Sequence, residues 1–323
     1  MLALYLFYTF ITLYIFAILC AKIYSPFWFH QPAYHICELY PRIRSLWDKS
    51  PYWKRNRPPK EGVFCNTKNI LTFSYSEISN TLVHDLCSFL QGHYVDTNYS
   101  LFYCDETFLS NIHLNDSMVS FYFDTILKPE LEWKEIINNK EIYGSITSRP
   151  FMISFSRFPQ KNTILHFLDF ICIHEKFQKK NLSRNMIQTH IYQHGLLEKT
   201  PKGYMFHKQG SLCKGIVPLI QYDTYTFVLR DTSMHKLPTN YRIKCLNKTN
   251  IDLWRVIYYQ MVSQYEIVAI PEIQYTIDWL TNERYVIYVS SYIYEKVEHV
   301  HGVYFFENAN IGWDTSLKKP KVV

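Results

Sequence analysis

The chain has 323 residues, of which 48% are hydrophobic and 17% aromatic, a composition that indicates a folded protein and excludes extended disorder. This length predicts one large domain or two closely joined domains. The formal net charge is +6, and the basic residues are scattered apart from the run at 53–60, so we exclude nucleic acid as a partner.

The first predicted element is a hydrophobic helix. No residue from Met1 to Ala21 has a charged side chain, and at ~1.5 Å per residue this stretch crosses a hydrocarbon layer of ~30 Å. A signal peptide and a buried core helix are the alternatives, but a signal peptide normally has a basic start and a shorter apolar core. Basic residues follow the stretch, beginning with Lys22. Residues 1–22 are therefore predicted to be a single-pass anchor with the body of the protein in the cytosol.

Hydrophobic periodicity predicts the next elements. After a connector over 23–62, Asn80 is the predicted N-cap of an amphipathic helix that runs to Leu90 and is ended by Gly92. A hairpin is predicted over 131–147, with its turn at 138–140.

Two more strands and a helix complete the first half of the prediction. The strands cover 151–155 and 163–173, and the second of them is predicted to be buried on both faces. A helix from about Leu182 to His194 follows and is ended by Gly195.

The second half partly repeats this order. Asn250 is the predicted cap of a helix, and a hairpin follows over 285–306, with Gly302 standing where Gly144 stood. We therefore predict a first half over 63–213 and a partial second half over 214–323.

The eight cysteines and two histidine pairs have chemical and structural interpretations. The cysteines show no CxxC spacing, so reduced, mostly buried thiols in an intracellular protein are expected. Cys172 and His174 could form a thiol and base pair, and His299 and His301 could bind metal. Structural roles are favoured for both pairs, because strand neighbours rarely have dyad geometry and two metal ligands lack a third. No metal is expected.

Positive charge is concentrated where the last strand of the first half leads into its helix, at Lys176, Lys179, Lys180 and Arg184. A strand feeding a helix presents unpaired backbone N–H groups together with the positive end of the helix dipole. The junction therefore predicts an anion site, and a solvated basic loop is the alternative.

This junction resembles a known acyltransferase motif. Residues 178–183, QKKNLS, resemble the Q/R-x-x-G-x-G/A turn of the GNAT superfamily, in which backbone amides hold the pyrophosphate of coenzyme A. Asn181 stands at the first glycine, which is acceptable because asparagine enters the left-handed region, and Ser183 is a small residue at the last position. Residues 169–174, DFICIH, resemble the N-F-L-C-V-H strand of N-myristoyltransferases, which a basic turn follows.

Further matches occur in the order of that family. Phe27 and Trp28, in FWFHQP, resemble the F-W-x-T-Q-P segment that helps to hold acyl-CoA. Residues 93–105 resemble the peptide-site loop, and residues 144–150 fall at the G-F-I-S-A-x-P hairpin. The residues matched to peptide binding are Tyr94, Asp96, Phe102 and Gly210, the last of which falls at a Y-T-A-G motif.

The resemblance implies an α+β, GNAT-like acyl-CoA acyltransferase fold, a mixed sheet flanked by helices with an incomplete second GNAT-like half, behind the transmembrane helix. It implies transfer of a myristoyl group from CoA to an N-terminal glycine, with acyl-CoA as substrate and no prosthetic group. The amides of Phe170 and Ile171 would form an oxyanion hole, freed by a strand bulge. Phe27 and Trp28 would pack on the nucleotide or pantetheine. The phosphates would be held by Gln178, Lys179, Lys180, Asn181, Leu182, Ser183 and Arg184.

The chain departs from the family on the acceptor side. Only Asp96 remains of the acidic run that attracts basic peptides, and we find no K-F-G-x-G-D-G motif of the strands that deliver the family's C-terminal carboxylate base. Without that base, binding would persist while the chemistry slowed. Two alternatives to myristoyl transfer follow. One is a non-catalytic relative that binds acyl-CoA or a peptide at the membrane, and the other is a GNAT N-acetyltransferase with a short acyl donor.

Overall fold

The computed structural model describes residues 1–24, 26–31, 61–94, 100–102, 104–113, 116–124, 141–156, 158–178, 181–197, 203–207, 218, 220–221, 223, 238–271, 273–281, 285–295, 297–307 and 311–313. The chain divides into two compact units, the first made of residues 1–58 and 206–225 and the second of residues 59–205 and 226–323. The predicted boundary between two halves at 213 and 214 stays a prediction.

The first unit contains helices α1 (Leu2–Tyr24) and α2 (Pro26–His30). The stretch Leu4–Tyr24 is long and apolar enough to cross a membrane, and none of it is buried within the protein. A surface helix of a soluble domain would have a polar face, whereas α1 is apolar around its circumference.

The other elements belong to the second unit, except for the last residue of β6. In chain order they are β1 (Ile70–Ser74), α3 (Asn80–His93), β2 (Ser100–Phe102), α4 (Glu106–Ile112), β3 (Met118–Tyr122), β4 (Gly144–Phe155), β5 (Phe158–Ile173), α5 (Leu182–Leu197), β6 (Tyr204–Phe206), β7 (Tyr241–Cys245), α6 (Asp252–Gln264), β8 (Ile267–Ile270), α7 (Ile273–Thr281), β9 (Tyr285–Tyr294), β10 (Val297–Glu307) and β11 (Ile311–Trp313).

A sheet with the order β1-β3-β4-β5-β6 forms the centre of the second unit, and β8 also pairs with β4. Helix α5 packs on one face of the sheet, and α3 and α4 enclose a core with the other face. Alternation along the strands explains the two faces, because Leu71 and Phe73 face the α3 core while Thr72 bonds to α5. The predicted apolar face of α3 is confirmed, since these residues are all buried: Leu82, Val83, Leu86, Cys87 and Leu90.

Strand β4 combines two segments that the sequence analysis treated separately, since residues 144–147 and 151–155 form one strand through Pro150. Pro150 pairs with His166, whose N–H bonds to Gly203 on the far side of β5. Two opposite residues of an antiparallel pair either bond to each other or both point outward, so the backbone nitrogen of Pro150 also points away from β5. On that side β3 ends opposite Ser148 and β8 begins opposite Met152, so proline breaks no ladder bond there. The first strand of the predicted hairpin, at 131–137, lies outside the described residues.

Four predicted helix limits were wrong. Ser79, not Asn80, caps α3, because its hydroxyl accepts from the N–H of Leu82, and α3 continues past Gly92 to His93. Helix α5 continues past Gly195 to Leu197. Asn250 does not cap α6 but closes a capping box with Asn247 around the short turn Lys248–Asn250.

The second half contains the predicted helix and hairpin. Strands β9 and β10 pair antiparallel, and β7 joins β9 to make a three-stranded sheet. A second core lies under α6 around Trp254, Ile257 and Val289. Strand β8 and helix α7 were missed by the sequence analysis, and β8 extends the central sheet by pairing with residues 152–155.

A histidine cluster, formed by His166, His190 and His194, is buried between β5 and α5. Both ring nitrogens of His190 bond to serine hydroxyls, at 2.7 Å from Ser120 and 2.9 Å from Ser148. His194 bonds to the hydroxyl of Tyr204 at 2.8 Å, and its ring centroid lies 4.4 Å from that of His166. Burial lowers the pKa of His166 to about 3 and of His194 to about 4, and holds the pKa of His190 well below its usual value. All three rings are therefore neutral near pH 7.

We expect Gly144→Ala to destabilise the second unit by about 1–3 kcal/mol because of overpacking. A β-carbon at this position would lie 2.7 Å from Sδ of the fully buried Met186 and 3.2 Å from Cβ of Tyr122. The matched control is Gly92→Ala in α3, which meets nothing within 4 Å and should stabilise by about 0.5–1 kcal/mol. Urea unfolding measures both variants, and equal effects from the two would contradict the packing at Gly144.

Candidate functional site

The predicted bulge is present in β5. Ser145 pairs with Cys172 and Thr147 pairs with Asp169, so Phe170 and Ile171 stand together opposite Ile146 of β4. Such a bulge disrupts the ladder locally and bends the strand. Phe170 and Ile171, whose amides were predicted to form an oxyanion hole, are therefore the two residues that depart from regular strand pairing.

The peptide planes at the bulge have a defined direction. The hydroxyl of Thr147 donates to the carbonyl of Asp169 at 3.2 Å, and the hydroxyl of Ser145 donates to the carbonyl of Phe170 at 3.4 Å. In a trans peptide the carbonyl oxygen and the following N–H point to opposite sides. The amides of Phe170 and Ile171 therefore point away from these hydroxyls, and the two N–H groups are adjacent along the chain.

Phe170 has a backbone φ of 45°, which is rare for a residue with a β-carbon. Its buried ring lies within about 6 Å, centroid to centroid, of the rings of Tyr94, Phe108 and His113. Backbone strain of this kind costs ~1–3 kcal/mol and persists only where the surroundings enforce it. The aromatic contacts from α3 and α4 hold the bulge in this conformation.

Arg149 and Asp169 form a nearly buried ion pair beside the bulge. Nε of Arg149 lies 2.8 Å from Oδ2 of Asp169, the residue that precedes Phe170. The guanidinium also lies 5.2 Å from the ring centroids of Phe151 and Trp279. Partial burial, together with the Asp169 carboxylate and Cys172, raises the pKa of Tyr94 to about 12, so its phenol is neutral.

The strand leads into α5 through a compact turn. His174 caps the turn Glu175–Phe177, because its Nδ1 accepts from the N–H of Lys176 at 3.1 Å. Asn181 has a φ of 57°, which confirms the predicted left-handed conformation at the position of the GNAT glycine. Its carbonyl accepts from the N–H of Arg184, and α5 begins at Leu182.

The other residues of the predicted phosphate turn have different exposures. Gln178 is exposed, Ser183 and Arg184 are half-buried, and Leu182 is buried. Lys179 and Lys180 lie outside the described residues. The first amides of α5 have no partner within the helix and, with the helix dipole, favour an anion.

Lys176 contacts residues outside α5. Its Nζ lies 3.7 Å from Oδ2 of Asp124 and 5.5 Å and 5.3 Å from the ring centroids of Tyr143 and Phe177. Its charge therefore faces the carboxylate of Asp124, which lies just after β3. Arg184 is the described basic residue in the first turn of α5.

The residues predicted for the acceptor peptide are only partly described. Tyr94 is the C-cap residue of α3, and its ring packs on Phe170. This residue, predicted to bind the peptide, therefore contacts the bulge. Phe102 lies in β2, which pairs with Ile311 of β11. Asp96 and Gly210 lie outside the described residues.

Phe27 and Trp28 belong to α2 in the first unit. Phe27 is fully buried, with its ring 5.0 Å from that of Trp28, and Trp28 stacks on Phe206 at 5.6 Å. Their predicted contact with the nucleotide or pantetheine stays a prediction.

The surroundings of the two candidate pairs, Cys172 with His174 and His299 with His301, favour structural roles. Burial raises the pKa of Cys172 to about 12, so its thiol is protonated and inert near pH 7, and His174 is engaged in the turn cap. His299 is exposed and stacks on Tyr292 at 5.2 Å, while His301 stands at the bulge of β10. Among the described residues, no group of three or more His, Cys, Asp and Glu is arranged to hold a metal ion.

Sequence reasoning missed Arg149 as the partner of Asp169. A signal was available, because each is an isolated charge within an apolar strand, and a charge in such a strand needs an opposite charge on the neighbouring strand. It also missed Trp279, since α7 was not predicted.

Comparison with solved structures assigns the fold. A crystal structure of Saccharomyces cerevisiae N-myristoyltransferase with bound myristoyl-CoA matches at a TM-score of 0.52 and 12% identity, covering 88% of this chain and 69% of that one. A second structure of that enzyme with bound myristoyl-CoA matches at 0.54 and 13%, covering 91% and 69%. A third, with myristoyl-CoA and inhibitors, matches at 0.51 and 12%, covering 84% and 66%.

The chain therefore has the N-myristoyltransferase fold, as the resemblance predicted, and spans about two thirds of the length of those enzymes. The mixed sheet flanked by helices is confirmed. No protein-family model matches the sequence, and no curated protein sequence matches it.

Proposed function

We propose that this protein binds a long-chain acyl-CoA and transfers the acyl group to the N-terminal glycine of a protein. The observation that carries the proposal is the bulge at Phe170 and Ile171, which leads through left-handed Asn181 into α5. The fold in which this arrangement lies supports the proposal, since solved structures with the same fold contain myristoyl-CoA.

The bulge amides suit the transition state of acyl transfer. Attack of an amine on the thioester carbonyl places negative charge on the carbonyl oxygen, and the CoA thiolate leaves when the tetrahedral intermediate collapses. Two neighbouring N–H donors aimed at that oxygen stabilise it, each by about 3 kcal/mol. Arg149 supports this chemistry, because it neutralises the Asp169 carboxylate that would otherwise oppose the developing charge.

The turn and the start of α5 supply the phosphate site in this proposal. The amides of Leu182 and Ser183 would donate to the pyrophosphate, and Lys179, Lys180 and Arg184 would add full positive charges. Helix α1 would anchor the protein in a membrane, with the body in the cytosol, where acyl-CoA and nascent N-termini are both available.

One experiment separates transfer from binding. The full-length protein in detergent micelles is incubated with radiolabelled myristoyl-CoA and a peptide that begins with glycine, and the same peptide beginning with alanine is the control. Labelled product with the glycine peptide alone supports transfer, whereas retained label without product selects a non-catalytic binder. Binding of acetyl-CoA in preference to myristoyl-CoA would select the short-donor alternative, and binding of neither ligand would overturn the proposal.

We expect Lys179→Ala with Lys180→Ala to raise the Kd for myristoyl-CoA by about 10- to 100-fold, because charge-assisted hydrogen bonds to phosphate are lost. The matched control is Lys68→Ala with Lys248→Ala, which removes the same charge from two exposed sites outside the turn. Equilibrium binding to the full-length protein measures both. Equal affinities of the two double variants for myristoyl-CoA would show that Lys179 and Lys180 do not contribute to binding.

A further inference from the structure

Two buried cysteines line one cleft away from the bulge. Cys87 is on α3, and Cys104 immediately precedes Asp105, the N-cap of α4. Both side chains are less than 5% exposed. The side-chain amide of Gln91 donates to the carbonyl of Cys104, which holds the two segments together.

A cleft gives small molecules a route to this pair. Its volume is about 400 Å³, and both cysteines line it. The other residues that line it are of polar or charged types and include Gln91, Asp105 and Glu106. The cleft is large enough for the sulfur end of a low-molecular-weight disulfide.

The two thiols are chemically different. The neighbouring Cys104 thiol lowers the pKa of Cys87, whereas the Cys87 thiol, together with burial, raises the pKa of Cys104. Since the thiolate is the reactive form, Cys87 is the attacking residue of the pair. Asp105 and Glu106 oppose this effect on Cys87 but are the smaller influences.

We propose that Cys87 and Cys104 form a reversible redox site that cross-links α3 to the start of α4. The oxidant is a low-molecular-weight disulfide such as oxidised glutathione. The Cys87 thiolate attacks one of its sulfurs, forms a mixed disulfide and releases one glutathione thiolate. Cys104 then loses its proton and attacks Cys87, releasing the second glutathione. Both protein thiols are oxidised, one glutathione disulfide is reduced to two thiols, and the two thiol protons pass to the released glutathione.

The cross-link acts on the helix that supports the bulge. Helix α3 carries Cys87 and ends at His93, and its C-cap residue Tyr94 packs its ring on Phe170. The disulfide closes a short loop between Cys87 and Cys104, which restricts the unfolded chain and should raise Tm by about 5 °C. This property is independent of acyl transfer, because thiol chemistry alone defines it.

The test uses the full-length protein in detergent, equilibrated with mixtures of reduced and oxidised glutathione, quenched with acid and alkylated. Peptide mass analysis should find Cys87 joined to Cys104 in the oxidising mixtures and both thiols alkylated after reduction. Cys104→Ser should retain glutathione on Cys87, while Cys87→Ser should leave Cys104 unmodified. Cys245→Ser, which removes an exposed thiol, should leave the cross-link unchanged.

The unmodified protein decides the outcome whether or not the serine variants fold. If Cys87 and Cys104 both stay alkylatable under conditions that modify the exposed Cys245, the redox site is refuted, and myristoyl-CoA binding is unaffected by that result. If the cross-link forms in a protein that binds no acyl-CoA, the redox site stands and the proposed function fails.

Discussion

Arg149→Met is expected to lower the free energy of unfolding by about 3–5 kcal/mol, because it removes the positive charge that faces the Asp169 carboxylate in a mostly buried site. Methionine keeps much of the apolar volume between Phe151 and Trp279, so the loss of charge dominates the effect. Arg149→Lys should recover only part of the stability, since a lysine ammonium lacks the planar group that stacks on these rings.

Urea unfolding of the full-length protein in micelles measures this effect, and Asp169→Asn provides the other half of a double-mutant cycle. The double variant Arg149→Met with Asp169→Asn should be markedly more stable than Arg149→Met alone, because neither charge is then buried without a partner. A double variant as unstable as the sum of the two single variants would contradict the coupling.

Under the proposed function, loss of the Arg149 and Asp169 ion pair should also change the reaction rate. Without the Arg149 charge, the Asp169 carboxylate next to Phe170 would oppose negative charge on the thioester oxygen, so Arg149→Met should lower kcat by about tenfold or more, while the affinity for myristoyl-CoA changes little. Single-turnover rates at saturating myristoyl-CoA measure this effect. An equal loss in Arg149→Met and in the neutral double variant would assign the loss to packing rather than to charge.

Acid is expected to destabilise the second unit through the histidine cluster. In the unfolded chain each histidine has a pKa near 6.5, whereas burial lowers the folded values to about 3 for His166 and about 4 for His194. Below pH 6.5 the unfolded chain therefore binds protons that the folded chain does not bind. Stability is full above this pH and falls as the pH decreases towards 4, by about 1.4 kcal/mol per pH unit for each histidine and about 4 for the three.

The measurement is the free energy of unfolding at several pH values between 7 and 4.5. His166→Phe should reduce the slope by one proton, because the ring packs against His194 and its buried Nδ1 has no hydrogen-bond partner among the described residues. The matched control is His299→Gln, which removes an exposed imidazole and should leave the slope unchanged. An unchanged slope in His166→Phe would contradict the buried, neutral state of this ring.

Part of the central motif could be predicted because local chemistry determines it: the left-handed Asn181 and the start of α5 follow from a residue that tolerates positive φ and from helical periodicity. The bulge at Phe170 and Ile171 was expected only from the resemblance of residues 169–174 to the N-myristoyltransferase strand. Helix limits were less accurate, since Ser79 and Asn80 are both good caps and packing decides between them.

Long-range pairing explains what the sequence did not reveal. Whether residues 144–155 form one strand or two depends on β3 and β8, which leave a gap at Pro150 that no local pattern encodes. The Arg149 and Asp169 pair joins neighbouring strands, and the cleft at Cys87 and Cys104 depends on how α3 and α4 pack. Each feature is set by tertiary contacts between segments that are not adjacent in the sequence.

The most direct test of the proposed oxyanion hole is a structure of the protein with a non-hydrolysable ketone analogue of myristoyl-CoA, in which a methylene separates the sulfur from the carbonyl. We expect the carbonyl oxygen of the analogue to lie about 3 Å from the amide nitrogens of Phe170 and Ile171, with the pyrophosphate at the first turn of α5. An analogue bound elsewhere, or bulge amides bonded to protein carbonyls while the analogue is bound, would contradict the proposal.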